Sequence, residues 1–224
     1  MKDNLGKIFY VPNHQYSKGE LRIILRNAIS LSDLAIDLWY KRKWLIACFL
    51  CITALEEIGK LLFIVLSRNV TGSEIRHILL KHPKKQLIAV FGLLNANTHA
   101  QRYLGHESIV ELMRMAESEE LFKIRNNCLY SMVQENKIIS TNEMVRKRVT
   151  KEILGATLEA IAEAGDIAHG GSKRGAQIRQ KLLRRSEHFI KSNYNNRPLP
   201  YKENSKEDQL TIFKKLIKHL SVAK

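Results

Sequence analysis

The sequence predicts an all-α protein, a bundle of five main helices followed by basic C-terminal helices. Two observations carry this. Apolar residues recur at three- and four-residue steps through five long segments, and no stretch alternates apolar and polar residues over several strands. With 4 Pro and 11 Gly in 224 residues, breakers are few, and a hydrophobic content of 45% is enough to bury a substantial core. No internal repeat of about 20 to 50 residues is present.

The first helix is expected from Glu20 to about Tyr40, where Leu21, Ile24, Leu25, Ala28, Leu31, Leu34, Ala35 and Leu38 share one face. The second, Trp44 to Arg68, is apolar nearly all round and belongs at the centre of the fold. Its length approaches a membrane span, but Glu56, Glu57 and Lys60 interrupt it after a clean run of only 12 residues, Trp44 to Leu55, so a buried core helix is expected and no membrane partner. Thr71-Gly72-Ser73 offers a break, Glu74 to Lys81 a short segment, and Pro83 a new start for a helix from about Lys84 to Asn97. Ser108 to Gln134 keeps the helical period and is expected as one long helix with a glutamate-rich middle. Asn136 to Ser140 breaks the pattern, and a fifth helix is expected from Thr141 to about Ala168, ended by Gly170-Gly171.

Beyond that point the composition changes. The chain carries 37 Lys and Arg against 22 Asp and Glu, a net charge of +15, and residues 169–224 alone hold 14 cations and 4 acids. The sequence therefore divides into a helical domain, 1–170, and a basic extension, 171–224, with helices expected at Lys173 to Asn193 and Lys206 to Ser221 around a linker at Asn195 to Pro200. So strong an excess of cations favours a polyanionic partner such as RNA, DNA or a membrane surface, without identifying which. Three cysteines, Cys48, Cys51 and Cys128, cannot all pair, and the N-terminus has no apolar signal segment, which together point to a reduced, cytoplasmic protein.

Three constellations can carry chemistry. In Ala54-Leu55-Glu56-Glu57-Ile58-Gly59-Lys60, helical spacing sets Glu56 opposite Lys60 and Glu57 beside it. Charges inside an apolar helix must be paired, face a cleft or join a network between helices, and Gly59 suggests close approach by another helix. This group reads equally as a structural ion pair. In the second, Lys123, Asn126, Asn127 and Tyr130 lie within two turns, with Arg125 one residue off their face. Arginine supplies a permanent planar fork for phosphate, and amide or phenol groups bond phosphate or ribose oxygens. The third, His82-Pro83-Lys84-Lys85, is a helix start rich in positive charge, where anions are favoured. No zinc-binding histidine pattern and no glycine-rich phosphate loop is present, and the Cys48-Phe-Leu-Cys51 pair lies in an apolar helix without a matching second pair, so no metal and no cofactor is expected, and Cys48 and Cys51 read as core residues.

Taken in order, the Ala-Leu-Glu-Glu-x-Gly-Lys helix, the His82-x-x-Lys85 helix start and the Arg125-x-x-x-x-Tyr130 element resemble the AbiV-type abortive infection proteins of the HEPN superfamily, over roughly Glu20 to Ala168. The resemblance implies a HEPN-like helical bundle, often a homodimer, in a bacterial phage-defence toxin that halts growth of the infected host. HEPN ribonucleases pair an arginine with a histidine a few residues on; Tyr130 stands at that place here, and a phenol titrating near 10 is a poorer base than an imidazole near 6.5. On this resemblance Arg125, Tyr130, Glu57 and Lys60 are the candidate catalytic residues, and Lys85, His82, Lys123, Asn126 and Asn127 the candidate RNA or phosphate ligands. The implied partner is RNA or ribosome-associated nucleic acid, and a lethal effector needs restraint, which points to a phage-encoded activator. The alternative is a protein-interaction module without enzymatic activity, whose charged cluster is structural.

Overall fold

The computed structural model describes residues 16–66, 79–95, 104, 106–129, 132–134, 137–139, 147–169 and 172–193. The expected helix at 206–221, the linker at 195–200, most of the segment 74–81 and Tyr130 lie outside the described residues. Among the described residues the protein is a helical bundle with one small hairpin, and the all-α expectation holds.

Helix α1, Lys18–Tyr40, starts two residues earlier than its apolar face predicts because Ser17 caps it. The Ser17 hydroxyl accepts from the Glu20 N–H at 3.2 Å, and the Glu20 carboxylate accepts from the Ser17 N–H at 2.7 Å, so two otherwise orphaned donors are satisfied reciprocally. Helix α2, Trp44–Leu66, is central as expected and packs against α1 and three later helices. Its Ala47, Cys48, Cys51, Ile52, Ala54, Leu55, Ile58, Leu61 and Phe63 are fully buried, which removes the reason for an all-round apolar helix to seek lipid. No helix among the described residues is long and apolar enough to cross a membrane.

Helix α3, His82–Asn95, lies on α2 and buries Ile88, Ala89, Val90 and Leu93. The approach is close at two glycines. A Cβ at Gly59 would overlap the Lys85 carbonyl oxygen and lie 2.7 Å from its carbon, and one at Gly92 would lie 2.6 Å from Leu62 Cδ1. The contact inferred from Gly59 in the sequence is therefore a backbone contact between α2 and α3.

The single long helix expected over Ser108 to Gln134 is not formed. Instead α4, His106–Glu117, and α5, Glu120–Asn127, are separated at Glu119, which takes a left-handed backbone with φ of 59°. Arg114 pairs with Glu111 of its own helix at 2.6 Å, and across the turn it reaches Glu120 of α5 at 3.3 Å. The turn also redirects α5 across α2 and α3. After α5, Met132–Gln134 (β1) and Lys137–Ile139 (β2) form an antiparallel pair in the register Met132 with Ile139, Val133 with Ile138 and Gln134 with Lys137. Strands of three residues are too short for the period-two pattern that reveals a sheet in sequence.

Helix α6, Lys147–Ala168, packs on α1, α2, α3 and α7, the last being Lys173–Asn193. Helix α7 buries Leu182, Leu183 and Phe189, and the Phe189 ring meets Trp39 edge-on at 5.9 Å. Charged clamps flank this seam: Arg179 donates to Glu163 at 2.6 Å, and Arg185 pairs with Asp33 of α1. The three cysteines are free and buried, as their apolar setting predicts.

Because Gly59 faces backbone that has nowhere to retreat, Gly59→Ala should destabilise the protein by about 1–3 kcal/mol, lowering the melting temperature by about 2–10 °C. Gly19→Ala is the control, since its Cβ would meet only Ser17 Oγ at an ordinary 3.5 Å. That variant should be neutral or slightly stabilising in the same thermal melts.

Candidate functional site

The site lies where α2, α3 and α5 converge, and Glu56 is its centre. Glu56 sits on the turn of α2 that Gly59 opens to α3, and its side chain is only 4% exposed. On α3, His82 and Gln86 are four residues apart and so share a face. His82 Nδ1 lies 2.6 Å from Glu56 Oε2, and Gln86 Nε2 donates to Glu56 Oε1 at 2.8 Å. From α5, Arg125 Nε stands 3.1 Å from the same Oε1, an ion pair outside hydrogen-bond geometry, while the guanidinium lies 5.1 Å above the Phe49 ring. One carboxylate thus ties three helices together.

The geometry sets which nitrogen of His82 faces the carboxylate. An ionised carboxylate only accepts, so the imidazole donates from Nδ1, and in its neutral form the other nitrogen, Nε2, keeps a lone pair for a proton or a phosphate-bound hydrogen. The ring stacks on Phe122 at 6.1 Å, and the side chain is 42% exposed, so it runs from the buried carboxylate to the surface. Beside it, Glu57 pairs with Lys60 at 2.6 Å in a more open position. Lys85 is buried in the group. Burial holds its ammonium below the usual lysine range, Glu56 and Glu57 oppose that shift, and Lys60 and Arg125 reinforce it. Counting Lys60, Lys85 and Arg125 against Glu56 and Glu57, the cluster has one positive charge in excess before His82 is protonated.

The structure therefore gathers Glu57, Lys60, Lys85, His82 and Arg125 from segments far apart in sequence. Asn126 joins them by accepting from Arg125 Nη1 at 3.3 Å. Asn127 is half-buried on the same helix, Lys123 is exposed to solvent, and Tyr130 lies outside the described residues. Two expectations are refined. Of the two glutamates that helical spacing set near Lys60, Glu57 at i,i+3 pairs with it and Glu56 at i,i+4 does not, because Glu56 is turned inward to α3 and α5. Arg125, which spacing set off the polar face of its helix, is the residue of that helix that reaches Glu56, since it points toward α2.

Sequence reasoning placed Glu56 in a charged constellation but gave it no binding or catalytic role, and it did not name Gln86. For Gln86 the available signal was its position one turn after His82; for Glu56 it was that only one of two adjacent glutamates on a central helix can face outward. Two buried polar atoms here, Gln86 Oε1 and Arg125 Nε, have no hydrogen-bond partner among the described residues. Such atoms are costly to leave unmet. The three thiols lie behind the site. The hydrogen bond to Cys128, then burial, pushes the Cys48 thiol up, and burial pushes Cys51 up.

With this geometry in place, a family model described as AbiV, in the HEPN group, matches residues 19–162. The match spans well over half of the chain and includes Glu56, His82, Lys85 and Arg125. No curated protein and no solved structure matches the chain.

Two outcomes follow from the charge arrangement. Glu56→Ala leaves Arg125 buried without its carboxylate and should cost about 3–5 kcal/mol in chemical unfolding, with Glu56→Gln costing less because an acceptor oxygen remains. Lys85 carries a lowered folded value, so between that value and its unfolded value near about 10.4 the unfolded chain binds more protons and stability rises with pH. Lys85→Met should remove this rise when unfolding free energies are compared across the alkaline range.

Proposed function

The chain belongs to the AbiV-type HEPN family, and from that premise we propose that it is a phage-defence effector of the abortive-infection type. In this reading it arrests the growth of an infected host by binding RNA, or the RNA of the translation apparatus, and cleaving it without a metal. The observation that carries the reading is the cationic excess around one buried carboxylate, with an oriented histidine at its edge.

Each residue then has a role. Arg125 and Lys85 hold the scissile phosphate and stabilise the charge that develops on it, as preorganised donors do in water-poor sites. Glu56 positions His82 and fixes its tautomer, leaving Nε2 to take the proton from the attacking ribose hydroxyl. Tyr130, five residues after Arg125, would donate a proton to the leaving oxygen or orient the ribose. Lys60, held by Glu57, supplies a further cation, and Asn126, Asn127 and Lys123 extend the phosphate contacts along α5. The expected assembly is a homodimer in the host cytoplasm, held silent until a phage-encoded activator binds.

One observation favours a second reading, an interaction module without enzymatic activity. Glu56 is buried and contacted by His82, Gln86 and Arg125, which is also how a structural network looks. Cells induced for the wild type, Arg125→Ala and Tyr130→Phe separate the two. The proposed activity predicts fragmented RNA with the wild type and at least about 100-fold slower cleavage with folded Arg125→Ala. Intact RNA beside arrested protein synthesis would instead establish the interaction module.

A further inference from the structure

Helix α7 lies beyond the residues matched to the family and has a surface of its own. Its sequence holds seven Lys and Arg and a single acidic residue, Glu187. At about 100° per residue, Lys173, Arg174, Gln177, Lys181, Arg184, His188 and Lys191 all fall within an arc of about 100°. Every one of them is exposed. The arc is opposite Gly175, Leu182, Leu183 and Phe189, which are buried in the bundle. It runs from residue 173 to residue 191, about 27 Å at 1.5 Å per residue.

We propose that this stripe on α7 is a binding surface for the phosphate backbone of a nucleic-acid duplex, with double-stranded RNA as its partner. The inference deepens the RNA reading above and rests on it for the choice of polymer. Five permanent cations over about 27 Å match a duplex strand that offers a phosphate every 3.4 Å or so, and glutamine adds a neutral donor of the kind that bonds phosphate oxygens. Other partners fit less well. A lipid surface needs an apolar face free to insert, and that face of α7 is already buried against the bundle. A single strand needs aromatic platforms for its bases, and the stripe has none. A protein partner needs aromatic or aliphatic anchors at the centre of the interface, and none lies between these cations. Recognition is therefore of backbone and shape, independent of sequence and strongly dependent on salt.

The test uses the full chain and fluorescence anisotropy with an RNA duplex of about 20 base pairs, the equivalent DNA duplex, single-stranded RNA and vesicles rich in phosphatidylglycerol, from about 50 to 200 mM salt. The variant K173Q/K181Q/R184Q/K191Q changes only exposed residues. R26Q/K41Q/K43Q/R148Q removes the same charge elsewhere, and unfolding midpoints confirm that both fold. The stripe variant should bind duplex at least about 100-fold more weakly, with a salt slope lower by about 3 to 4, while the control stays near wild type. Loss on RNA duplex alone supports the RNA assignment; equal loss on both duplexes supports backbone recognition and widens the partner to DNA. Equal losses in stripe variant and control, wild-type affinity in the stripe variant, or binding confined to single strands or vesicles would overturn the proposal. A stripe variant that binds normally beside a wild type that cleaves RNA removes the stripe alone; a wild type that arrests growth without binding any nucleic acid removes the RNA reading as well.

Discussion

The Glu56 carboxylate is the constraint from which the rest of the site follows. A carboxylate 4% exposed in an apolar helix is stable only if its charge and lone pairs are met from neighbouring elements. Two helices meet them, α3 through His82 and Gln86, and α5 through Arg125. For those side chains to reach it, α3 must lie on α2 backbone to backbone, which is why Gly59 stands one turn's step from Glu56. For α5 to reach it, the chain must bend between α4 and α5, and the left-handed residue at Glu119 makes that bend. A local strain on the surface thus serves a polar contact in the interior.

The positive charge of the protein falls into two parts of different character. Inside the bundle, Lys85 and Arg125 are held as desolvated cations whose fields reach a group at short range. Along α7 the cations are exposed and screened, and they act together on an extended polymer. The first arrangement suits precise placement of one phosphate, the second capture of many. Under the proposed function, the first would place the scissile phosphate and the second would hold the rest of the RNA.

Much of this was legible in the sequence, and the exceptions have physical causes. Helices α1, α2, α3, α6 and α7 follow the apolar period because each buries one face, or all of its faces, against the bundle. Gly59 announced a close approach because glycine is costly in a helix interior without one. The break at Glu119 was hard to see: glutamate seldom takes a positive φ, and only one five-residue step, Ala116 to Leu121, interrupts apolar residues that keep the helical period on either side, Ile109, Leu112 and Ala116 before it and Leu121, Ile124 and Cys128 after it. The hairpin was hidden because three residues make no visible alternation. At the site, residue types and spacing identified the three segments, yet spacing within one helix set both Glu56 and Glu57 beside Lys60 without choosing between them. Which of Glu56 and Glu57 faces inward is set by α3 and α5, elements that a local rule does not see. For the same reason Gln86 escaped notice: an amide on a helix signals nothing until a carboxylate stands opposite.

The claim that Glu56 organises the site is tested most directly by a double-mutant cycle between Glu56→Gln and Arg125→Gln, read as unfolding free energies of the four proteins in denaturant. The account predicts that the double variant is less destabilised than the sum of the single variants, with a coupling of at least about 1 kcal/mol. Additivity to within about 0.3–0.5 kcal/mol would mean that the two residues act independently, and would contradict it.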